Sequence, residues 1–186
     1  FERYGFEPAN MLADAENWAV VARLGKEDLW RVTFAENADL PESDTGRRIA
    51  ERYKILLPDP AAPYEVVAFS PYRVHERCAP AFRVGRALLA GDAAHACNPC
   101  GGMGLTTGVI DAAALSEVLN AVIAERAPES ALDFYSMERR RVFLEVSSPI
   151  ATDFKRRMSE KDPARQRADF EEFRREANAP ERKSLT

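Results

Sequence analysis

The chain has 186 residues, 46% hydrophobic and 30% charged, with a formal net charge of −4. That length can bury a core as one large domain or two small ones, and the acidic balance argues against a nucleic-acid footprint, which is basic. No apolar run in the sequence reaches membrane-spanning length, so no membrane span is expected. Three cysteines, Cys78, Cys97 and Cys100, are an odd count. That argues against a disulfide framework and for a reducing compartment. The chain opens on Phe1 without a charged-then-apolar leader. A cytoplasmic piece of a longer protein is therefore expected.

Residues 1–15 read as a loop leading into a sheet, because Pro8, Asn10 and Asp14 break any period. Residues 18–24 (W-A-V-V-A-R-L) and 29–34 (L-W-R-V-T-F) are rich in β-branched and aromatic side chains. With Gly25-Lys26-Glu27-Asp28 between them they predict a hairpin. Trp30, Val32 and Phe34 share one face, Arg31 and Thr33 the other. Sheet packing is the expected role of Trp18 and Trp30.

Residues 41–57 predict a helix, capped by Ser43 or Asp44, with Ile49, Tyr53 and Leu56 as its apolar stripe. Arg47, Arg48, Glu51, Arg52 and Lys54 would form its solvated face. Pro58, Pro60 and Pro63 then mark a surface loop. Residues 64–77 read as a long strand, interrupted or bulged at Pro71.

The stretch 86–115 organises the rest. The apolar run 87–90 suits a buried parallel strand. Gly91-Asp92 stops it, and a loop with Pro99, Gly101, Gly102 and Gly104 leads into a long apolar helix over 104–125, expected to be buried against the sheet. A carboxylate at a strand end can accept hydrogen bonds from sugar or sugar-alcohol hydroxyls. Glycines let a flat ligand approach the backbone. The first helical N–H groups, near Met103 to Thr106, have no intrahelical partner and favour negative charge. Asp111, near that end, favours the same dipole.

Cys97-Asn98-Pro99-Cys100 is formally C-x-x-C. A thioredoxin-like role needs that pair to open a helix in a small βαβ fold, and zinc needs four ligands, for which only Cys78, His75 and His95 remain. The plainer reading is two small residues flanking Pro99 in a tight loop, with no metal. His95 reads as structural, holding the loop by hydrogen bonds. Further on, Ser130 with Asp133 resembles a capping box. The helix it opens would be apolar along Leu132, Tyr135, Met137, Phe143, Leu144 and Val146, with charged 138–141 solvated. Asp162-Pro163 breaks the chain before an exposed helix over 164–177, and 174–186 reads as a loose tail.

G-D-A-A-H at 91–95, P-x-x-G-x-G at 99–104 and an apolar helix carrying Asp111-Ala112 together resemble the second FAD motif of single-component flavin monooxygenases. These are the aromatic hydroxylases of the p-hydroxybenzoate hydroxylase and phenol hydroxylase-like type. The resemblance is dense over 85–119 and weaker over 18–77, which is similar to the sheet of the family's substrate domain.

It implies an α/β fold (an α+β mixture). Part of the substrate-binding β-sheet region would lie in 1–77, the second half of the FAD-binding domain in 78–150, and a charged helical C-terminal tail in 151–186. The G-x-G-x-x-G half of a complete flavin site does not occur in this sequence. By position, the resemblance implies that Asp92 binds the ribityl hydroxyls, with Gly91 beside it among the cofactor-binding residues. Pro99 would border the reactive face of the ring. Gly104, Leu105 and Thr106 would aim backbone N–H groups at its pyrimidine edge, with Gly101, Gly102 and Met103 also among the cofactor-binding residues. Thr106 stands where many members carry Asn, which leaves its backbone contact and questions its side-chain contact. Tyr72, Arg73, His75 and Pro99 are the candidate substrate-pocket residues, and His75 can take a phenol proton. No residue stands out as the catalytic acid or base.

The implied activity is hydroxylation of an aromatic or similarly electron-rich small molecule, using FAD, O₂ and NAD(P)H as reductant. A halogenase, epoxidase or reductase of the same fold, or a truncated non-catalytic paralogue acting as a binding module, remain alternatives. Oligomeric state is not legible.

Overall fold

The computed structural model describes residues 1–25 and 28–179. They form two compact units: Phe1–Pro71 together with the chain from Arg156 onward, and Tyr72–Lys155.

The first unit carries a three-stranded antiparallel sheet of β1 (Ala9–Leu12), β2 (Ala19–Arg23) and β3 (Trp30–Phe34), with β2 in the middle. β2 and β3 are the expected hairpin, pairing Ala19 with Phe34 and Arg23 with Trp30. Leu24 N–H donates to Leu29 O at 2.8 Å across its end. Lys26 and Glu27 of the expected turn lie outside the described residues. Ala19 and Val21 of the central strand are fully buried.

β1 replaces part of the loop expected over 1–15. Asn10 is tolerated there because its amide satisfies itself locally: Nδ2 donates to Glu7 O at 2.5 Å and Oδ1 accepts from Glu7 N at 3.0 Å.

Helix α1 (Thr45–Leu56) buries Ile49 and Leu56 as its stripe requires. Its expected cap is not made. Asp44 stands at the N-cap without a side-chain bond to the backbone, and its carboxylate takes Arg47 at 3.3 Å instead. Two arginines of the supposedly solvated face are engaged. Arg48 binds Glu36 at 2.5 Å, and Arg52 binds Glu16 O at 3.0 Å and Asn17 at 2.5 Å.

Segment 64–76 forms no strand, contrary to its composition; Val67, Phe69 and Tyr72 are exposed. β-propensity needs a neighbouring ladder to act on, and none pairs with this segment among the described residues.

In the second unit, β4 (Arg77–Cys78) pairs antiparallel with β7 (His95–Ala96), and β5 (Arg83–Val84) with β6 (Ala87–Leu88). The run 87–90 is therefore one arm of a tight antiparallel hairpin, and its expected parallel partner is absent from the described residues. Helices α2 (Met103–Ile123) and α3 (Ser130–Val142) follow. A π-helical turn, Phe143–Ser147, leads into α4 (Ser148–Met158). Phe82, Ala94 and Tyr135 form the buried core, with Leu88, Leu89, Leu115 and Val118 packed against it. Phe82 N–H donates to Ser136 Oγ at 2.9 Å, and Tyr135 OH donates to Leu89 O at 2.8 Å. These bonds lock the hairpin onto α3.

The capping box at Ser130 is not formed: Glu129 is the N-cap, its side chain makes no cap bond and pairs with Arg83 instead, and Asp133 pairs with Arg83 at 3.0 Å. Of the charged run 138–141, Arg141 pairs with Glu138 and Glu145 on the surface. Arg139 and Arg140 turn inward, Arg140 reaching Ala79 O at 3.1 Å.

α2 reverses its expected burial. Its buried residues are Thr107 and Asp111, while Leu105 is 81% and Val109 60% exposed. The side carrying Leu105, Val109 and Ile110 has no covering element among the described residues, while Leu115 and Val118 pack against the core. Counted with its glycine turn, Cys100–Ile123 is long and apolar enough to cross a membrane by length and composition, a helix that the run-by-run reading of the sequence overlooked.

At the other end of the chain, α5 (Pro163–Ala177) is capped by Asp162, whose carboxylate accepts Ala164 N–H at 2.9 Å. Arg156 fixes it through both oxygens of Asp169 at 3.0 Å. The expected loose tail thus begins no earlier than the end of α5, and residues 180–186 lie outside the described residues.

Candidate functional site

Ala90 leaves the hairpin in extended backbone and Gly91 turns left-handed at φ 58°. Ala94 N–H then donates to Gly91 O at 2.8 Å, closing a short 3-10 turn, Gly91–Ala93. That turn lies directly on α2. A Cβ built on Gly108 would stand 3.1 Å from Gly91 Cα, so the contact admits no side chain at Gly108 without displacement. Asp92 is exposed, and its carboxylate has no hydrogen bond or ion pair among the described residues.

After β7 the chain enters the loop 97–102. Asn98 is buried and works in two directions: Oδ1 accepts Cys100 N–H at 3.1 Å, and Nδ2 donates to Glu76 at 2.8 Å. Glu76 also accepts from Ser148 and from Thr152, the latter at 3.3 Å. Burial pushes the Glu76 carboxyl up, but the hydrogen bonds from Ser148, Asn98 and Thr152 outweigh it and hold it below its ordinary 4.5. Asn98 is thereby fixed, and Pro99 is presented on the surface beside it. Gly101 has φ 81° inside the 3-10 turn Cys100–Gly102, and a Cβ there would meet the Phe154 ring at 2.9 Å.

Gly102 is the N-cap of α2, and no side chain caps this end. The first N–H groups of α2 are thus left to other acceptors. Leu105 and Thr106 are exposed, while Met103 and Gly104 are half-buried. Burial pushes the Cys97 and Cys100 thiols above their ordinary 9.0. They are neutral, poor nucleophiles at physiological pH, as the loop-flanking reading requires.

Behind this surface lies a buried polar centre. Asp111, fully buried, accepts His95 Nε2–H and Arg139 Nε–H, each at 2.6 Å, and Gly91 N–H at 3.1 Å. His95 stacks on Phe143 at 4.3 Å between centroids, and its Nδ1 is buried without a partner among the described residues. His95 therefore holds the loop, as expected from its position. Asp111 does far more than favour a helix dipole, and Arg139 is not solvated. Their signal in the sequence was slight: one of two acids in an apolar helix, and one arginine among three. Burial and the nearby Asp111 charge, against Arg139, push Tyr135 up to about 12.

Gly91, Asp92 and the start of α2 meet through the Gly91–Gly108 contact, while Pro99, Gly101, Gly102, Met103, Gly104, Leu105 and Thr106 follow along one turn and one helix end. Tyr72 is 61% exposed and His75 is exposed, and no bond or ring contact joins either to Pro99 among the described residues. The adjacent Glu76 is what ties that segment to the loop. An uncapped helix end, a glycine approach and a free carboxylate beside it fit the isoalloxazine and ribityl parts of FAD.

Comparison with known proteins agrees. Para-nitrophenol 4-monooxygenase of Pseudomonas sp. (strain WBC-3) is 49% identical over 176 residues, 94% of this chain and 44% of that protein. 6-Hydroxy-3-succinoylpyridine 3-monooxygenase HspB of Pseudomonas putida (strain DSM 28022 / S16) is 44% identical over 170 residues, 91% of this chain and 43% of its own length. The crystal structure of p-nitrophenol 4-monooxygenase PnpA from Pseudomonas putida DLL-E4 superposes with a TM-score of 0.84 at 51% identity, over 91% of this chain and 43% of that one. Aklavinone-11 hydroxylase, in a ternary complex with FAD and aklavinone, gives a TM-score of 0.67 at 28% identity, over 77% and 28% of the two chains. The chain thus spans less than half the length of these relatives. The model of the FAD binding domain matches residues 10–148, which takes in the Asp92 turn, the Pro99 loop and the uncapped end of α2, and the chain belongs to that family.

Proposed function

We propose that the protein carrying this chain is an FAD-dependent monooxygenase that hydroxylates a small hydroxylated aromatic ring, with NAD(P)H as reductant. The observation that carries this reading is the contact of the Asp92 turn with Gly108, in the second turn of α2, whose glycine-flanked N-terminus is uncapped. The substrate class comes from the relatives, whose names specify para-nitrophenol and a hydroxylated pyridine. FAD, when bound, supplies hydride acceptance and oxygen activation.

The residues of this chain hold and orient the ring end of FAD. Asp92 accepts hydrogen bonds from the ribityl hydroxyls. The N–H groups of Gly104, Leu105 and Thr106 stabilise negative charge at the pyrimidine edge, aided by the helix dipole. Pro99, held by Asn98 and Glu76, limits access to the reacting side. The neutral Cys100 thiol puts no competing charge there. Of this chain's two histidines, His95 is buried and engaged, and the exposed His75 is the one open to a substrate proton.

We read 1–77 as part of a substrate-binding sheet region, 78–150 as the second half of the FAD domain and 151–186 as a charged helical tail. The division of the structure at Pro71 supports a boundary near the first of these joins. α2 is read as a core helix of the FAD domain rather than a membrane span, since it carries the buried Asp111 centre. Three free thiols fit a cytoplasmic setting.

The test is NAD(P)H oxidation by the purified flavoprotein with and without para-nitrophenol, with product identification. Substrate-stimulated oxidation and an oxygenated aromatic product are expected. A colourless protein that binds no FAD, or reductant consumption that yields only hydrogen peroxide, would overturn the reading.

A further inference from the structure

We propose that Asp111 is a positioning residue that sets the register between Asp92 and the first turn of α2, and so controls how tightly FAD is gripped. This rests on the FAD reading of the site. The two groups that would contact the flavin stand on different elements, and neither defines the place of the other.

Asp111 joins them. Its Oδ2 accepts Gly91 N–H at 3.1 Å and His95 Nε2–H at 2.6 Å, while Oδ1 accepts Arg139 Nε–H at 2.6 Å. The donors come from three elements: the turn before Asp92, β7 and α3. An arginine–aspartate pair alone would satisfy the buried charge. The bond to Gly91 N–H is the one that reaches the site, because Gly91 immediately precedes Asp92. The Gly91–Gly108 contact acts on the same junction, with 3.1 Å between Gly91 Cα and the place of a Gly108 Cβ. Gly108 lies one turn beyond Gly104. The Asp92 carboxylate has no bond among the described residues, so its position follows from Gly91.

The experiment measures FAD affinity of the apoprotein by fluorescence titration, and its thermal unfolding, for the complete polypeptide carrying this chain. The variants are Asp111→Asn, Gly108→Ala, Asp92→Ala and the doubles with Asp92→Ala. Asparagine turns one acceptor oxygen into a donor facing donors. Alanine at 108 requires Gly91 to give by a few tenths of an ångström without touching any charge, and it favours helix over glycine. It therefore tests the register even if Asp111→Asn does not fold.

Asp111→Asn and Gly108→Ala are each expected to weaken FAD by about tenfold or more, and their effects should be much less than multiplicative with Asp92→Ala, because all act through one contact. Gly108→Ala should keep the wild-type unfolding temperature. If Gly108→Ala binds FAD within about twofold of wild type, or if the effects multiply fully with Asp92→Ala, Asp111 is only structural and the proposal is overturned. A wild-type protein that takes up no FAD overturns the flavin reading itself, and this proposal with it.

Discussion

At Gly101 two constraints coincide: φ is 81°, and the Phe154 ring stands 2.9 Å from where a Cβ would be. Alanine there must strain the backbone and displace the ring. Gly101→Ala is expected to destabilise by about 1–3 kcal/mol, read as a lower urea midpoint. An unchanged midpoint would mean that the ring yields at no cost. The residue types of the site were legible in advance, since a strand-end acid, a proline and glycines before a helix each have a chemical reason to be there. Asp111 and Arg139 were not legible as partners. Their pairing spans 28 positions and depends on the direction in which α3 packs, which no local pattern encodes.

Among the elements, the helix ends separate what a side chain can do from what it does. Asp162, read from the sequence only as part of a break, caps α5 by accepting Ala164 N–H at 2.9 Å. Ser130, equally suited by type, is the first helical residue of α3 and makes no cap. Asp162→Ala should therefore cost about 1 kcal/mol in an unfolding titration, and Ser130→Ala no more than about 0.5 kcal/mol. Equal costs would contradict the two geometries. The hairpin of β2 and β3 was legible because both partners lie next to each other in sequence. The strand expected over 64–77 failed for the opposite reason: its residue types suit a sheet, but a strand exists only with a neighbour.

For the whole molecule, acid stability follows from charge pairs in the first unit. Hydrogen bonds from Arg48 hold Glu36 below its ordinary 4.5, and those from Arg156 hold Asp169 below its ordinary 3.8. As pH falls, the unfolded chain takes up these protons first. The stabilisation is complete above about pH 5 and is lost as pH drops through the lowered folded values. The urea midpoint should fall on the acid side of about pH 4.5, and the double variant Glu36→Gln, Asp169→Asn should flatten that arm. An unaltered acid arm in the double variant would assign it to other carboxylates.

By itself the sequence determined the hairpin, the three long helical segments near the C-terminal half, and the loop-and-helix motif with Asp92 at its head. Each of these is set by short-range periodicity, backbone preference or a fixed spacing. Only the tertiary structure decided that the 87–90 run would fold back on its neighbour, that α2 would turn its polar residues inward, and that Asp111 would gather Gly91, His95 and Arg139. Those outcomes depend on which distant groups compete for the same buried space. A buried carboxylate takes the donors that packing brings to it, and packing is a property of the whole chain.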